Sequence, residues 1–349
     1  MNIAFHLSRL NYGGGERVLM TLMEEFKNRG ENVTCITWNK EIVEGNLPFK
    51  VEYFELPVKY NKNSKYKKRL RQSKDFLIRN KIDLFILFDT DLVFYHAAIA
   101  CKVKTIYSLR VDLGYFNTVK KRLKFWLTLF FADKIVFQTP KIHKQMPRYI
   151  QNKSTVIPNP VLDQLPPVHI YRKKRIVSVG RLSPEKGFSI LIEAFSEINR
   201  DGYCLSIYGS GNLFDELNTL VKKLHLENEV RLEGRVDQVV NHIANAEIFV
   251  LNSNSVEGMP NALIEAMAMG LACISTNFSS GGAEFLIENN VNGIIIPINN
   301  KVELKQALQQ LIVNETLRQE FKNNAVKIRE TLAIDVIINQ WVGFIKFRN

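Results

Sequence analysis

Two glutamates separated by seven residues, Glu257 and Glu265, stand in the run SVEGMPNALIEAMAMG at positions 255–270, which is otherwise small and apolar. Proline suits the first position of a helix, where its missing N–H costs nothing. A helix is therefore expected over 261–269, with Glu257 in the loop before it and Glu265 about one turn inside. In that arrangement Glu257 is placed to accept hydrogen bonds from sugar hydroxyls and Glu265 from a ribose. The start of the helix, at Met259, Asn261, Ala262 and Leu263, offers backbone amides to a phosphate. A carboxylate inside an apolar helix also needs a partner. The same letters fit a plainer reading, an acid favoured by the helix dipole followed by an exposed helical glutamate.

Other candidates come from glycine-rich turns. GRLSPEKG at 180–187 carries Arg181, a planar fork of donors, and Lys186, a point charge, five residues apart on one loop. Such a pair suits a diphosphate that must be held and neutralised as it leaves. GGGER at 13–17 precedes a helical pattern, and Gly13 and Gly14 allow close backbone approach to a phosphate at a helix N-terminus. YGSG at 208–211, with Gly209, and EGRV at 233–236, with Arg235 and Val236, are two more turns after apolar runs. Each alone reads equally well as an ordinary turn; their recurrence at successive strand ends is what a nucleotide pocket requires. Asp89-Thr90-Asp91 spells a D-x-D metal–diphosphate motif, but the aspartates read better as caps of a helix starting near Leu92.

The elements that must hold these residues are visible as alternating patterns. Short apolar runs at 2–6, 32–37, 84–88, 105–108 and 134–137 read as strands, and after residue 165 so do 175–179, 204–208, 230–232, 248–251, 272–275 and 293–296. Helical periodicity fills 16–27, 119–131, 187–198, 213–224 and 261–269. Strands separated by helix-length segments imply βαβ units and parallel sheets. Open parallel sheets bind ligands beyond the carboxyl ends of their strands, where all these turns fall. Pro158, Pro160, Pro166 and Pro167 lie within ten residues and mark the boundary between two α/β halves. The domains expected are 1–160 and 161–330. Three helical segments follow residue 301 without an intervening strand, and the last, within 331–349, is expected to cross back to the first domain.

GGGER, GRLSPEKG, YGSG, EGRV and EGMPNALIEAMAMG, in that order with the proline-rich linker between, resemble the family-4 retaining glycosyltransferases of the GT-B fold. The resemblance covers nearly the whole chain. It implies an α/β protein of two Rossmann-like domains with parallel sheets facing across a cleft. It also implies a metal-independent enzyme without a cofactor, whose donor nucleotide is held mainly by the second domain. Arg181 and Lys186 would grip the diphosphate, Glu257 the donor sugar and Glu265 the ribose. The backbone of Arg235 and Val236 would meet the base, and Gly14 would approach the phosphates. One departure concerns the strand at 105–108: many members carry a histidine after it, where this chain has Arg110. Arginine does not act as a general base; it binds a sugar hydroxyl, a donor phosphate or an anionic acceptor instead. The Ser-x-Arg segment resembles members that build bacterial surface polysaccharides, some of which use N-acetylhexosamines.

Composition sets the remaining limits. The chain of 349 residues has a net charge of +12, and residues 1–160 alone carry a net +14. This half is expected to face a polyanion or an anionic membrane. Residues 59–74 are a basic tract without an acid. Val119, Leu123, Trp126 and Phe130 form one face of a helix flanked by Lys120, Lys121, Arg122 and Lys124, as in a basic amphipathic surface helix; an ordinary core stripe gives the same spacing. No apolar run approaches the roughly 20 residues of a membrane span. No secretion signal is evident, and the four cysteines are scattered, so a cytoplasmic, at most peripheral, protein is expected. A glycan or lipid-linked glycan acceptor suits the basic half, and no nucleic-acid-binding motif is present. The alternatives to a transferase are another sugar enzyme of the same fold, an epimerase or phosphorylase, and a noncatalytic polyanion-binding protein.

Overall fold

The computed structural model describes residues 1–6, 14–37, 52–55 (backbone), 66–162, 164–168, 172–254 and 257–346. The chain divides into two compact units. Unit 1 comprises Met1–Pro158 and Ile337–Asn349, and unit 2 comprises Asn159–Val336. The first boundary falls inside the proline segment, two residues before the expected position. The return to unit 1 comes at Ile337, later than the expected 331.

Unit 1 is a seven-stranded sheet in the order β3-β2-β1-β4-β5-β6-β7. Its strands are β1 (Asn2–His6), β2 (Asn32–Thr37), β3 (Glu52–Glu55), β4 (Leu84–Leu87), β5 (Lys104–Ser108), β6 (Lys134–Phe137) and β7 (Ser154–Val156). The helices are α1 (Gly14–Asn28), α2 (Tyr66–Arg79), α3 (Leu92–Cys101), α4 (Val119–Phe131), α5 (Pro140–Gln145) and α6 (Arg148–Gln151). Every pairing is parallel. The inner strands are runs such as LFIL and KIVF, apolar at successive positions because both faces of a parallel sheet are covered by helices.

Unit 2 is a six-stranded parallel sheet in the order β10-β9-β8-β11-β12-β13. Its strands are β8 (Lys173–Val179), β9 (Cys204–Tyr208), β10 (Val230–Gly234), β11 (Ala246–Leu251), β12 (Ala272–Thr276) and β13 (Ile294–Ile296). Between and after them lie α7 (Phe188–Ser196), α8 (Phe214–Lys223), α9 (Val239–Ile243), α10 (Asn261–Ala268), α11 (Gly282–Leu286), α12 (Lys301–Val313), α13 (Glu315–Ala325) and α14 (Ile328–Thr331). A last helix, α15 (Ile334–Ile345), carries the chain into the returning segment of unit 1. Four helices therefore follow residue 301, one more than the periodicity suggests. The core of unit 2 packs Leu191, Phe195, Ile207, Ile248 and Leu308 around the sheet.

Each sheet has one place where the winding reverses. In unit 1, β1 pairs with β2 on one side and β4 on the other (Ile3 with Val33 and Leu84). In unit 2, β8 pairs with β9 and β11 (Ile176 with Leu205 and Ile248). Loops leaving two such adjacent strands diverge to opposite faces of the sheet and open a crevice at its carboxyl edge.

Candidate functional site

In unit 2 the reversal point lies between the loop after β8 and the loop after β11, and these two loops carry the cations and carboxylate singled out above. Gly187 ends the 180–187 turn with φ +61°, and a Cβ there would sit 2.3 Å from the Asn252 carbonyl oxygen. The turn is thus pressed against the backbone that follows β11. The Asn252 side-chain amide donates to the Gly187 carbonyl at 2.8 Å, the Asn254 N–H to the Glu185 carbonyl at 2.9 Å, and Asn254 Nδ2 to the Pro184 carbonyl at 3.0 Å. This seam brings Lys186 Nζ onto Glu257 Oε1 as an ion pair. The same oxygen accepts from the buried Ser253 hydroxyl at 2.7 Å. Arg181, exposed, lies five residues before Lys186 in that turn.

Glu265 lies one turn inside α10 and is 3 % exposed, among Leu263, Ile264, Ala266, Met267 and Ala268, all buried. Helix α10 starts at Asn261 as expected, with Pro260 at the cap position and no side-chain capping bond; the Leu263 amide, expected to meet a phosphate, donates instead to the Pro260 carbonyl at 3.1 Å. Met259 and Leu263 are buried, Asn261 and Ala262 half-exposed. Gly209, at φ +143°, faces inward: a Cβ would fall 1.8 Å from the Gly180 carbonyl oxygen, so glycine is required there for two strand-end turns to interlock. Arg235 and Val236, after β10, are exposed and half-exposed. All of these positions follow carboxyl ends of unit 2 strands.

In unit 1 the corresponding reversal point holds residues that the sequence reading passed over. His6, the last residue of β1, is fully buried, with Nδ1 2.8 Å from the Ile36 carbonyl and Nε2 3.0 Å from Asp89 Oδ2, just after β4. Both ring nitrogens face acceptors, which favours the doubly protonated ring. Burial opposes the charge, but Asp89, by charge and hydrogen bond, Asp91 and the Ile36 carbonyl outweigh it and raise the pKa above the usual histidine value. The Asp89-Thr90-Asp91 segment caps α3 as expected, Asp91 accepting from the Val93 N–H at 3.2 Å, and Asp91 also pairs with Arg69.

Gly14 opens α1; Gly13 lies outside the described residues. Arg110 follows β5 at the carboxyl edge, its guanidinium carbon 4.7 Å from the Phe88 ring centroid and 5.8 Å from that of Trp341 on α15. Burial lowers its pKa to about 9, which leaves it charged at neutral pH. The α4 stripe is turned outward, not into the core: Val119 is 83 % exposed, Leu123 59 %, Trp126 41 % and Phe130 68 %. Phe125 and Leu129 take the inner face, with Phe125 stacked on Phe116 at 4.4 Å. Of the basic tract, residues 59–65 lie outside the described residues, and the remainder forms the start of α2.

Two family models match successive parts of the chain. Residues 12–164 match the model described as Glycosyltransferase Family 4, and residues 167–328 the one described as Glycosyl transferases group 1. This chain is a glycosyltransferase with a family-4 domain followed by a group-1 domain. An uncharacterized glycosyltransferase of Haemophilus influenzae is 26% identical to it, over 98% of this chain and 99% of that protein. A Campylobacter jejuni alpha-1,4-N-acetyl-D-galactosaminyltransferase, whose name specifies an undecaprenol-diphosphate-linked acceptor, is also 26% identical, over 99% and 98%. Anabaena HepE in complex with UDP superposes with a TM-score of 0.80 at 18% identity, over 98% and 99% of the two chains. The lipopolysaccharide outer core galactosyltransferase WaaB does so with 0.79 at 20% identity, over 99% of each. At such identities these structures establish the fold, which is GT-B. No described helix of this glycosyltransferase is long and apolar enough to cross a membrane.

The sequence motifs located the turns of the transferase but missed Asn252 and Asn254, which hold the 180–187 turn, Ser253, which holds Glu257, and His6, which pairs with Asp89 at the end of β1. Three consecutive small polar residues directly after an apolar strand, Asn252 to Asn254, were the available signal. They occupy the carboxyl edge, where side-chain hydrogen bonds to loop backbone concentrate.

Proposed function

We propose that this glycosyltransferase is a retaining, metal-independent enzyme. In this reading it moves a hexose or N-acetylhexosamine from a UDP-sugar onto a glycan or lipid-linked glycan during surface-polysaccharide synthesis. The observation that carries the reading is the Lys186–Glu257 pair at the reversal point of the unit 2 sheet, with Arg181 in the same turn. A cation and a carboxylate held together there suit a ligand with a diphosphate next to a sugar: Arg181 and Lys186 neutralise the former, Glu257 takes hydroxyls of the latter. Glu265 receives the ribose hydroxyls, the backbone of Arg235 and Val236 meets the base, and the start of α10 at Asn261 and Ala262 faces phosphate. Gly13, Gly14 and Arg110 belong to unit 1, where Arg110 is a fixed cation for an anionic group of donor or acceptor.

The chemistry is a front-face displacement. The acceptor hydroxyl oxygen bonds to the anomeric carbon on the side from which the diphosphate departs. The carbon–oxygen electron pair leaves with the diphosphate, and one of its oxygens takes the hydroxyl proton. Charge accumulates on the leaving diphosphate, so Arg181 and Lys186 act where the transition state differs most from the ground state. No metal or other cofactor enters the scheme. The outward α4 stripe and its flanking lysines seat the enzyme on the anionic cytoplasmic face of a membrane, where a lipid-linked acceptor resides. The C. jejuni relative's acceptor and the UDP bound by HepE support this assignment of partners.

The test is a panel of UDP-glucose, UDP-galactose, UDP-N-acetylglucosamine and UDP-N-acetylgalactosamine in the presence of chelator, with thermal shift and slow donor hydrolysis recorded. One donor should stabilise the protein and be hydrolysed, and Lys186→Ala should lower turnover about a hundredfold or more. A folded protein that responds to no donor, or that responds only with Mg²⁺ or Mn²⁺ present, overturns the respective part of the proposal. The anomeric configuration of the product, read by NMR, decides retention.

A further inference from the structure

Both donors to the Glu257 carboxylate converge on one of its oxygens. Oε1 accepts from Lys186 Nζ and from the Ser253 hydroxyl, the latter at 2.7 Å. Oε2 has no partner among the described residues, and 15 % of the side chain stays open to solvent. An ionised carboxylate has about two acceptor sites on each oxygen. Lys186 and Ser253 therefore use up Oε1 and leave Oε2 for a ligand.

Ser253 is held so that it cannot follow if the carboxylate turns. It is fully buried, and its carbonyl accepts from the hydroxyl of Thr276, itself fully buried at the end of β12. Its neighbours Asn252 and Asn254 are bonded to the 180–187 turn. On the other side of Glu257, the Gly258 carbonyl accepts from the buried Ser280 hydroxyl at 2.7 Å. A hydroxyl has a single hydrogen, and that of Ser253 is spent on Glu257. An ammonium has three donors, so the pairing with Glu257 leaves Lys186 others for a diphosphate.

The consequence concerns how many sugar hydroxyls Glu257 reads. A carboxylate with both oxygens open accepts from two adjacent hydroxyls of a ring, one on each oxygen. With Oε1 occupied, it accepts through Oε2 alone. We infer that Ser253 is a positioning and specificity-determining residue for the donor sugar. By filling Oε1 and fixing the rotation of the carboxylate, it makes Glu257 recognise a single hydroxyl and not a neighbouring pair. This rests on the donor site proposed above.

Dissociation constants measured by calorimetry on the full chain test this. The ligands are UDP, whichever of the four UDP-sugars binds wild type most tightly, and the monodeoxy forms of that sugar. The proteins are wild type, Ser253→Ala, Ser253→Thr and Glu257→Ala. Removing a hydroxyl read by a carboxylate should weaken binding about tenfold or more. In Glu257→Ala that penalty should vanish for one deoxy form only. In Ser253→Ala it should shrink several-fold at the same position, because the carboxylate is free to turn, while affinity for UDP stays within about twofold of wild type. Ser253→Thr, which keeps the hydroxyl, should keep the penalty. A penalty that vanishes for two neighbouring hydroxyls in Glu257→Ala overturns the inference while leaving the donor site standing. So does a Ser253→Ala protein that weakens UDP and every sugar by the same factor. Penalties unchanged in Glu257→Ala take the glutamate away from the sugar and sink the inference together with that part of the proposed site. A wild type that binds none of the four donors sinks both.

Discussion

The His6–Asp89 pair is the residue-scale feature with the clearest pH signature. His6 has its pKa raised in the folded state, so its contribution to stability is complete below about pH 6.5, the ordinary histidine value, and is lost as pH rises through the raised folded value. The groups that set it are Asp89 and Asp91 after β4 and the Ile36 carbonyl on β2, all within unit 1. Urea midpoints measured at pH 6 and pH 9 should show wild type ahead of His6→Gln at the lower pH, with the gap narrowing at the higher. A gap that widens with pH contradicts the protonated ring. At the same scale, Glu257 and Lys186 were legible because a charged residue beside glycines and a proline has few purely structural reasons to be there. His6 was not legible: at the end of an apolar strand, histidine reads as core, and its role depends on an aspartate 83 positions away that only the β1–β4 pairing brings near.

At the level of elements, the seam between the β8 and β11 loops depends on glycine 187. Gly187→Ala places a methyl carbon against the Asn252 carbonyl at a left-handed φ, with an expected cost of about 1–3 kcal/mol. For a unit of this size each kcal/mol lowers the melting temperature by roughly 2–4 °C. Calorimetry should find that drop along with weakened UDP binding, because Lys186 is carried on the displaced turn; unchanged UDP affinity would detach the seam from ligand binding. Helix α4 makes the opposite prediction. Leu123→Ser, Trp126→Ser and Phe130→Ser together remove only exposed side chains, so stability should hold, each change being within about 0.5 kcal/mol. Flotation with phosphatidylglycerol vesicles should be lost, and in wild type it should weaken as salt rises. The stripe on α4 was visible as a period, but whether it faced core or solvent was not, since both faces of that helix carry aromatic residues. Similarly, β3 and β7 escaped notice because they are the two edge strands of their sheet and are short. Strand β7, STV, is half-exposed, so neither produces the apolar run by which the inner strands announce themselves. Helix α2 was hidden by its cations, which mask the few buried positions, Phe76 and Leu77 among them.

For the whole molecule, the division into two units makes the three tryptophans informative, since Trp38, Trp126 and Trp341 all belong to unit 1. Tryptophan fluorescence should therefore follow the unfolding of unit 1 alone, while calorimetry registers both. Gly187→Ala should shift the calorimetric trace and leave the fluorescence midpoint within about 1 °C, given that distant sites contribute independently. Equal shifts in both would mean that the units unfold as one. The returning segment of unit 1 has a consequence for how the chain is made. Trp341, fully buried and beside the guanidinium of Arg110, is translated after every residue of unit 2. Domains commonly mature in the order in which they leave the ribosome. Here the first unit to emerge is the last to be finished: its sheet waits, with the place of Trp341 unfilled, while the whole second unit is synthesised. A nascent chain halted near residue 336 would hold a complete unit 2 behind an incomplete unit 1, a natural client for a chaperone that recognises exposed apolar surface.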